Sequence, residues 1–337
     1  MGTVGRISGI RVTAVLACVV LCALLPGVAS AHSGTHKPPP FRPRVGNALG
    51  IIPRAGQSIT ILPPSNLAPL LFHGGAVMHG VRVHTVFWAP PGYAFSGAPH
   101  PGGHAYQQLI EQFFTDVAHD SGSASNIFSA LPQYSDASGA ASYSISYDAA
   151  TDAVSDTAPY PRASAQCTSP TGIVTCVSDA SIQQELDRVI RTSDPSARGM
   201  HDLWFVFLPP NVDTCITGPV CGSFAFAGYH ALSNVGAGGV IYAVAVDPVI
   251  GFGLQAPAGS DPQGNPDAEF TVNVAAHELA EAITDPHGNG WLDANGLEIG
   301  DKCQNTLDSP LGYAANGAPY NQVINGDEWL FQAIWSN

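Results

Sequence analysis

The sequence predicts a single α/β (α+β) domain with a mixed sheet, a zincin-like helix packed on it and a loop-rich C-terminal part. Three observations point there. Continuous apolar runs at His201–Pro209 and Gly239–Val246 read as strands buried on both faces, as in a sheet covered by helices. Segments with apolar residues at helical spacing accompany them, first at Leu109, Ile110, Phe113, Phe114 and Val117. The 36 glycines and 28 prolines imply many turns and long loops, while 45% hydrophobic residues suffice for a substantial core.

The N-terminus reads as an address. Arg6 and Arg11 precede an apolar run from Val12 to Leu25, then Pro26 and Ala29-Ser30-Ala31, so residues 1–31 are expected to be a secretory signal cleaved before His32. The run is short for a bilayer span, and no second run of spanning length follows, so the mature chain is expected to be secreted, with no membrane segment. Residues 32–77 are rich in Pro, Gly and Ser, including Pro38-Pro39-Pro40 and Pro63-Pro64, and read as a flexible tether or propeptide.

The domain proper is expected over residues 78–337. Val81–Trp88 alternates as a strand, His104–Ala118 carries the first helix, and Tyr143–Tyr147 alternates again, with the tyrosines and Ile145 on one face. Ser181–Ile190 reads as a helix that Ser178 or Asp179 can cap. His84 and His119 read as ordinary polar positions near element ends. After the two apolar strands a further helix runs through Val274 to Thr284. Pro286 disfavours helical geometry at Asp285, and Gly288-Asn289-Gly290 favours a turn, so this helix should stop there. Leu297 and Ile299, alternating with an outward Glu298, then suggest an extended segment that brings acids back towards the helix.

The last helix carries the chemistry. His277, Glu281 and Asp285 recur at i, i+4 and i+8 and form one stripe of imidazole and carboxylates able to hold a metal. Glu278 stands where the zinc peptidase motif H-E-x-x-H carries its general base, and Glu281 replaces the second histidine. A carboxylate ligates zinc and also suits harder cations such as calcium. Asp301 is the preferred third ligand, with Glu298, His287 and Asp285 as the other candidates. His287 has the metzincin interval from His277, but Thr284 stands where those enzymes need a glycine. The alternative is an amphipathic helix with two solvated glutamates and loop carboxylates that cap backbone amides. His230, in Gly228-Tyr229-His230, either orients a substrate or ligand or is a buried structural histidine.

With 12 basic against 26 acidic side chains, the formal charge is −14. Loss of Arg6 and Arg11 with the signal leaves 10 against 26, or −16, which argues against nucleic acid or anionic lipid as partner. Five cysteines remain after Cys18 and Cys22 are removed, and export favours disulfides. Cys167 with Cys176 is the simplest pair. Cys303 is expected to bond Cys215 or Cys221, fixing the acid-bearing loop to the sheet and leaving one thiol over. No G-x-S-x-G elbow or phosphate-binding glycine loop is present.

The run Ala282-Ile283-Thr284-Asp285-Pro286-His287-Gly288-Asn289-Gly290-Trp291, with Leu297-Glu298, Cys303, Gly312-Tyr313, Pro319-Tyr320-Asn321 and Trp329–Trp335, resembles the plant EXORDIUM or phosphate-induced protein family. Val83–Trp88, the Tyr106–Asp116 helix and Leu131–Asp136 are similar to that family's opening block, so the resemblance covers roughly residues 80–335 in patches. It implies a shared fold and an extracellular or cell-wall location. Plant members lack the His-Glu pair, whereas this chain resembles bacterial and fungal relatives that keep H-E-L-A-E-A and E-I-G-D. The expected function is therefore a secreted metal-dependent hydrolase, a zinc peptidase acting on peptide or protein substrates. Its rivals are a non-catalytic extracellular protein with structural calcium or no metal, and a binder of cell-wall carbohydrate through Trp291, Tyr313 and Tyr320.

Overall fold

Successive side chains of a strand point to opposite faces, and in the central strands of this protein both faces are apolar. The computed structural model describes residues 68–97, 104–162, 167, 173, 175–218, 220–248, 261–304 and 306–337, and the backbone of 48–53. The expected signal and most of the expected lead lie outside the described residues. The main sheet comprises β1 (Ala48–Pro53), β2 (Val81–Trp88), β3 (Ile145–Ser146), β4 (Ala153–Asp156), β5 (Asp202–Phe207), β6 (Phe226–Ser233) and β7 (Val240–Ala245). Its order is β1-β6-β7-β5-β2-β3, with β4 also pairing β2. The β1, β6 and β7 pairings are antiparallel and the β7, β5, β2, β3 and β4 pairings parallel, so the sheet is mixed.

Helices cover both faces. Leu203, Phe205, Phe207, Ile241 and Ala243 form one core with α1 (Tyr106–His119) and α4 (Pro266–Thr284). Trp204, Val206, Tyr242 and Val244 form the other with α3 (Asp179–Ser193). A short α2 (Ala149–Asp152) links β3 to β4. The periodic residues Leu109, Ile110, Phe113, Phe114 and Val117 are all buried, each contributing about 1.5–3 kcal/mol. Ser178 Oγ accepts the N–H of Ser181, capping α3 as its sequence suggests.

Helix α4 begins with Asn265, whose side chain accepts the Ala268 N–H, and Pro266 in its first turn, and ends at Asp285 ahead of Pro286. Val272, Ala275, Ala276, Leu279, Ala280 and Ile283 are buried around its circumference, so its polar residues are carried inside with them. Glu278 and Glu281 are fully buried, which rules out the solvated-glutamate arrangement.

Several expectations are corrected. Ordered structure reaches back into the lead: β1 pairs β6, Leu71–Phe72 pairs Trp291–Leu292, and Leu70, Val77 and Met78 lie in the core. Pro53 is tolerated because β1 is an edge strand. Tyr143, Ile145 and Tyr147 are buried in alternation, but only Ile145–Ser146 pairs with β2. His84 lies in the middle of β2, buried, stacked on Trp204 at 4.1 Å with Nε2 2.9 Å from Asp202 Oδ1. Glu298 does not point outward: it is buried beneath the C-terminal tail, where Trp335 N–H donates to the Ile299 carbonyl.

Cys167 bonds Cys176, as expected. Cys303 keeps a free thiol, because Cys215 and Cys221 lie opposite each other in an antiparallel pair and bond each other. Burial pushes the Cys303 thiol up to about 11. No described helix is long and apolar enough to cross a membrane.

Candidate metal centre

Glycine allows two backbones to close on α4 where any side chain would collide. A Cβ on Gly300 would lie within 2.8 Å of the His277 ring, and one on Gly228 would meet Val274 Cγ1 at 2.5 Å. The loop and β6 therefore press on the helix from two sides. From the loop, the Gly300 and Asp301 N–H groups donate to Glu281 Oε1 at 3.2 and 2.9 Å. Gln332 clamps the same loop, donating from Nε2 to the Gly300 carbonyl and from its backbone to Asn273 Oδ1 on α4. These contacts hold the acid-bearing loop in place of the expected Cys303 disulfide.

On the loop side, Glu281 Oε1 lies 2.9 Å and Asp301 Oδ1 3.8 Å from His277 Nε2. One donor atom from each of His277, Glu281 and Asp301 lies within 4.8 Å of the other two, a spacing that can surround one ion. On the β6 side, His230 Nδ1 stands 3.1 Å from Glu278 Oε2 and 3.8 Å from Glu281 Oε2. His230 Nε2 lies 3.6 Å from Glu298 Oε1 and 3.3 Å from the Asp285 carbonyl. His230, Glu278 and Glu281 form a second set with donor atoms within 4.8 Å of one another.

The structure thus brings His277, Glu278, Glu281, Glu298 and Asp301 into one cluster and adds His230. It leaves His287 out, since that side chain is exposed. Asp285 stands at the edge: its Oδ1 accepts the Asn289 and Gly290 N–H groups of the turn, the capping role expected of a loop acid. The signal for His230 was a lone imidazole in an otherwise apolar strand, which cannot say what lies across the sheet.

Hydrogen bonds within the protein do not satisfy the cluster. Both His277 nitrogens, Glu278 Oε1, Glu281 Oε2, Asp285 Oδ2, Glu298 Oε1 and Asp301 Oδ1 are buried without a hydrogen-bond partner. The 2.9 Å approach of Glu281 Oε1 to His277 Nε2 lacks hydrogen-bond alignment. Such atoms normally cost about 1–3 kcal/mol each, and here they are concentrated in one place.

Electrostatics agree. Burial, then the Glu281 charge, pushes Glu278, Glu298 and Asp301 well above the carboxylate range. Burial also raises Asp285 to about 6, against the pull of the turn N–H groups. Burial would lower His277, but Glu281 and Asp301 outweigh it and hold the imidazole above its ordinary value. His230 is lowered to about 4 by burial, despite Glu281. A bound cation would favour the ionised carboxylates that burial alone disfavours.

The remaining acid and sulfur clusters offer less. Cys167, Cys176, Cys215 and Cys221 lie together, but as disulfides they present no thiolate. Among known proteins, the chain matches no family model, no curated protein and no solved structure.

Proposed function

We propose that this protein is a secreted metal-dependent hydrolase, most simply a zinc peptidase, with an ion held by His277, Glu281 and Asp301 and with Glu278 as general base. The observation that carries the reading is the set of buried, unpartnered donor atoms converging from α4 and the 298–303 loop. Their chemistry fits the ion. Imidazole with carboxylates suits zinc or manganese better than calcium, which prefers oxygen ligands throughout. When bound, such an ion supplies Lewis acidity towards a scissile carbonyl and acidifies water.

The chain's own residues do the rest. Glu278 offers Oε1, an oxygen without another partner, to take and hold the proton of the attacking water. His230 holds the other oxygen, Oε2, in place from β6. Gly300 and Asp301 N–H groups orient Glu281. The substrate class proposed is peptide or protein, including cell-wall material. Export through residues 1–31 and kinship with the EXORDIUM proteins belong to the same proposal, and two disulfides are compatible with an extracellular protein.

One observation favours a second reading. Every ligand atom of the cluster is buried, which suits an ion, calcium included, that braces the loop against α4 in a non-catalytic extracellular protein. Activity separates the two. Purified mature protein with zinc is expected to cleave casein, gelatin or a mixed peptide library, and Glu278→Gln, which keeps size and fold, should cut the rate by about 10²-fold or more. No cleavage by the wild-type protein that still binds the ion would leave the bracing role in its place.

A further inference from the structure

The ion assigned to His277, Glu281 and Asp301 answers only half of the cluster. We propose that the site holds a pair of divalent cations, the second bound by His230, Glu278 and Glu281, with Glu281 bridging the two. This rests on the hydrolase reading for the first ion and extends it to a dinuclear centre.

Three independent features support the second site. The first is geometry: the donor atoms of His230, Glu278 and Glu281 lie within 4.8 Å of one another, and Glu281 belongs to both sets. Its two oxygens face different ways, Oε1 lying 2.9 Å from His277 Nε2 and Oε2 3.8 Å from His230 Nδ1. That is the disposition of a bridging carboxylate, which holds ions about 3.5–4 Å apart in two-metal sites.

The second is the distribution of unpartnered atoms. Glu281 Oε2 and Glu298 Oε1 both lack a hydrogen bond, although these side chains are almost completely buried. Neither Glu278 nor Glu298 is needed by the first set. Glu298 Oε1 stands 3.6 Å from His230 Nε2, and so remains on the side of the second set.

The third is composition. Among the described residues, Glu278, Glu281, Asp285, Glu298 and Asp301 gather five carboxylates in one buried cluster with two imidazoles, His230 and His277. The set His277, Glu281 and Asp301 leaves His230, Glu278 and Glu298 over, so the cluster offers more donor side chains than one ion takes from it. Nitrogen and oxygen donors in each set suit zinc or manganese. Ligation through Glu278 Oε2 would replace its contact with His230 Nδ1 and leave Oε1 as the proton acceptor, a weaker one than in the singly loaded site.

Manganese titration of chelator-stripped, full-length mature protein tests this directly. Two equivalents are expected, with an electron paramagnetic resonance spectrum of a spin-coupled pair. His230→Asn should bind one equivalent and give the isolated-ion spectrum, with circular dichroism confirming the fold. Should that variant not fold, the wild-type stoichiometry and coupling still decide. One equivalent in the wild type would overturn the second site and leave the mononuclear hydrolase intact. Two uncoupled ions would overturn the Glu281 bridge, and no binding would overturn both readings.

Discussion

Tyr229 and His230 are neighbours on β6 whose side chains enter opposite faces of the sheet, and each joins a buried polar cluster. On the α3 face, Asp179 Oδ1 accepts the Tyr229 and Tyr242 hydroxyls at 2.7 Å each. Its Oδ2 accepts from Gln183, whose Oε1 in turn accepts the Ser233 hydroxyl. None of these atoms lacks a partner. On the α4 face, two imidazoles meet five carboxylates, each with one oxygen that has no hydrogen-bond partner. Both clusters lie inside the fold, the α3 one nearer the surface at Gln183. They differ in whether donors match acceptors: hydroxyls and an amide satisfy one carboxylate completely, whereas carboxylates facing carboxylates are satisfied only by a proton or a cation. The first is a brace, and the second is the site proposed to bind an ion.

The widest separation should appear in metal affinity. His277→Ala is expected to weaken zinc binding by about 10- to 100-fold, since losing a ligand costs at least what losing its supporting partner does. Tyr229→Phe, one strand away on the other face, should leave zinc content unchanged. Equal metal content in wild type and His277→Ala would remove the distinction. Next, Asp301→Asn should impair zinc binding while leaving the melting temperature in chelator nearly unchanged, because only the loaded form uses the charge. Glu298→Gln should be the milder variant, and the reverse ranking would make Glu298 the third ligand.

A buried acid outside both clusters sharpens the point. Glu269 on α4 accepts the Leu330 N–H at 2.9 Å, but its other oxygen has no partner. Burial raises it to about 8, with Asp261 adding to the shift against the Leu330 N–H. Here a proton does the work of a cation. A carboxyl raised in the folded state stabilises fully below its unfolded value, near 4.5, and loses that contribution as pH rises through about 8. Stability should therefore fall by up to about 1.4 kcal/mol per pH unit over that interval. Denaturant titrations of Glu269→Gln should show a flatter profile, and an unchanged slope would mean the group is already ionised. The smallest effect belongs to the brace itself: Tyr229→Phe should cost about 0.5–1.5 kcal/mol in urea, because Tyr242 and Gln183 still serve Asp179.

Periodicity made the helices and the buried strands legible. Apolar spacing located α1 and α3, unbroken apolar runs located β5 and β7, and Pro286 with the following glycines marked the end of α4. The stripe on α4 was equally readable, because residues four apart on a helix share a face. What remained hidden depends on contacts distant in sequence. His230 meets Glu278 across 48 residues, and no local pattern announces that meeting. Glu298 is hidden for the same reason: alternation places it opposite Leu297 and Ile299, but all three are buried. β1 escaped because its six residues end in a proline within a proline-rich segment. Cys303 was paired wrongly because chain proximity to Asp301 says nothing about the Cys215 and Cys221 hairpin.

The central claim is that the α4 cluster is completed by cations and the α3 cluster is complete without them. Elemental analysis of the purified, folded mature protein, before any metal is added, tests it most directly. At least one equivalent of zinc or manganese per chain, removed by chelator and reduced in His277→Ala, is the expected result. A folded protein carrying no stoichiometric metal, and acquiring none when zinc, manganese or calcium is supplied, would contradict it.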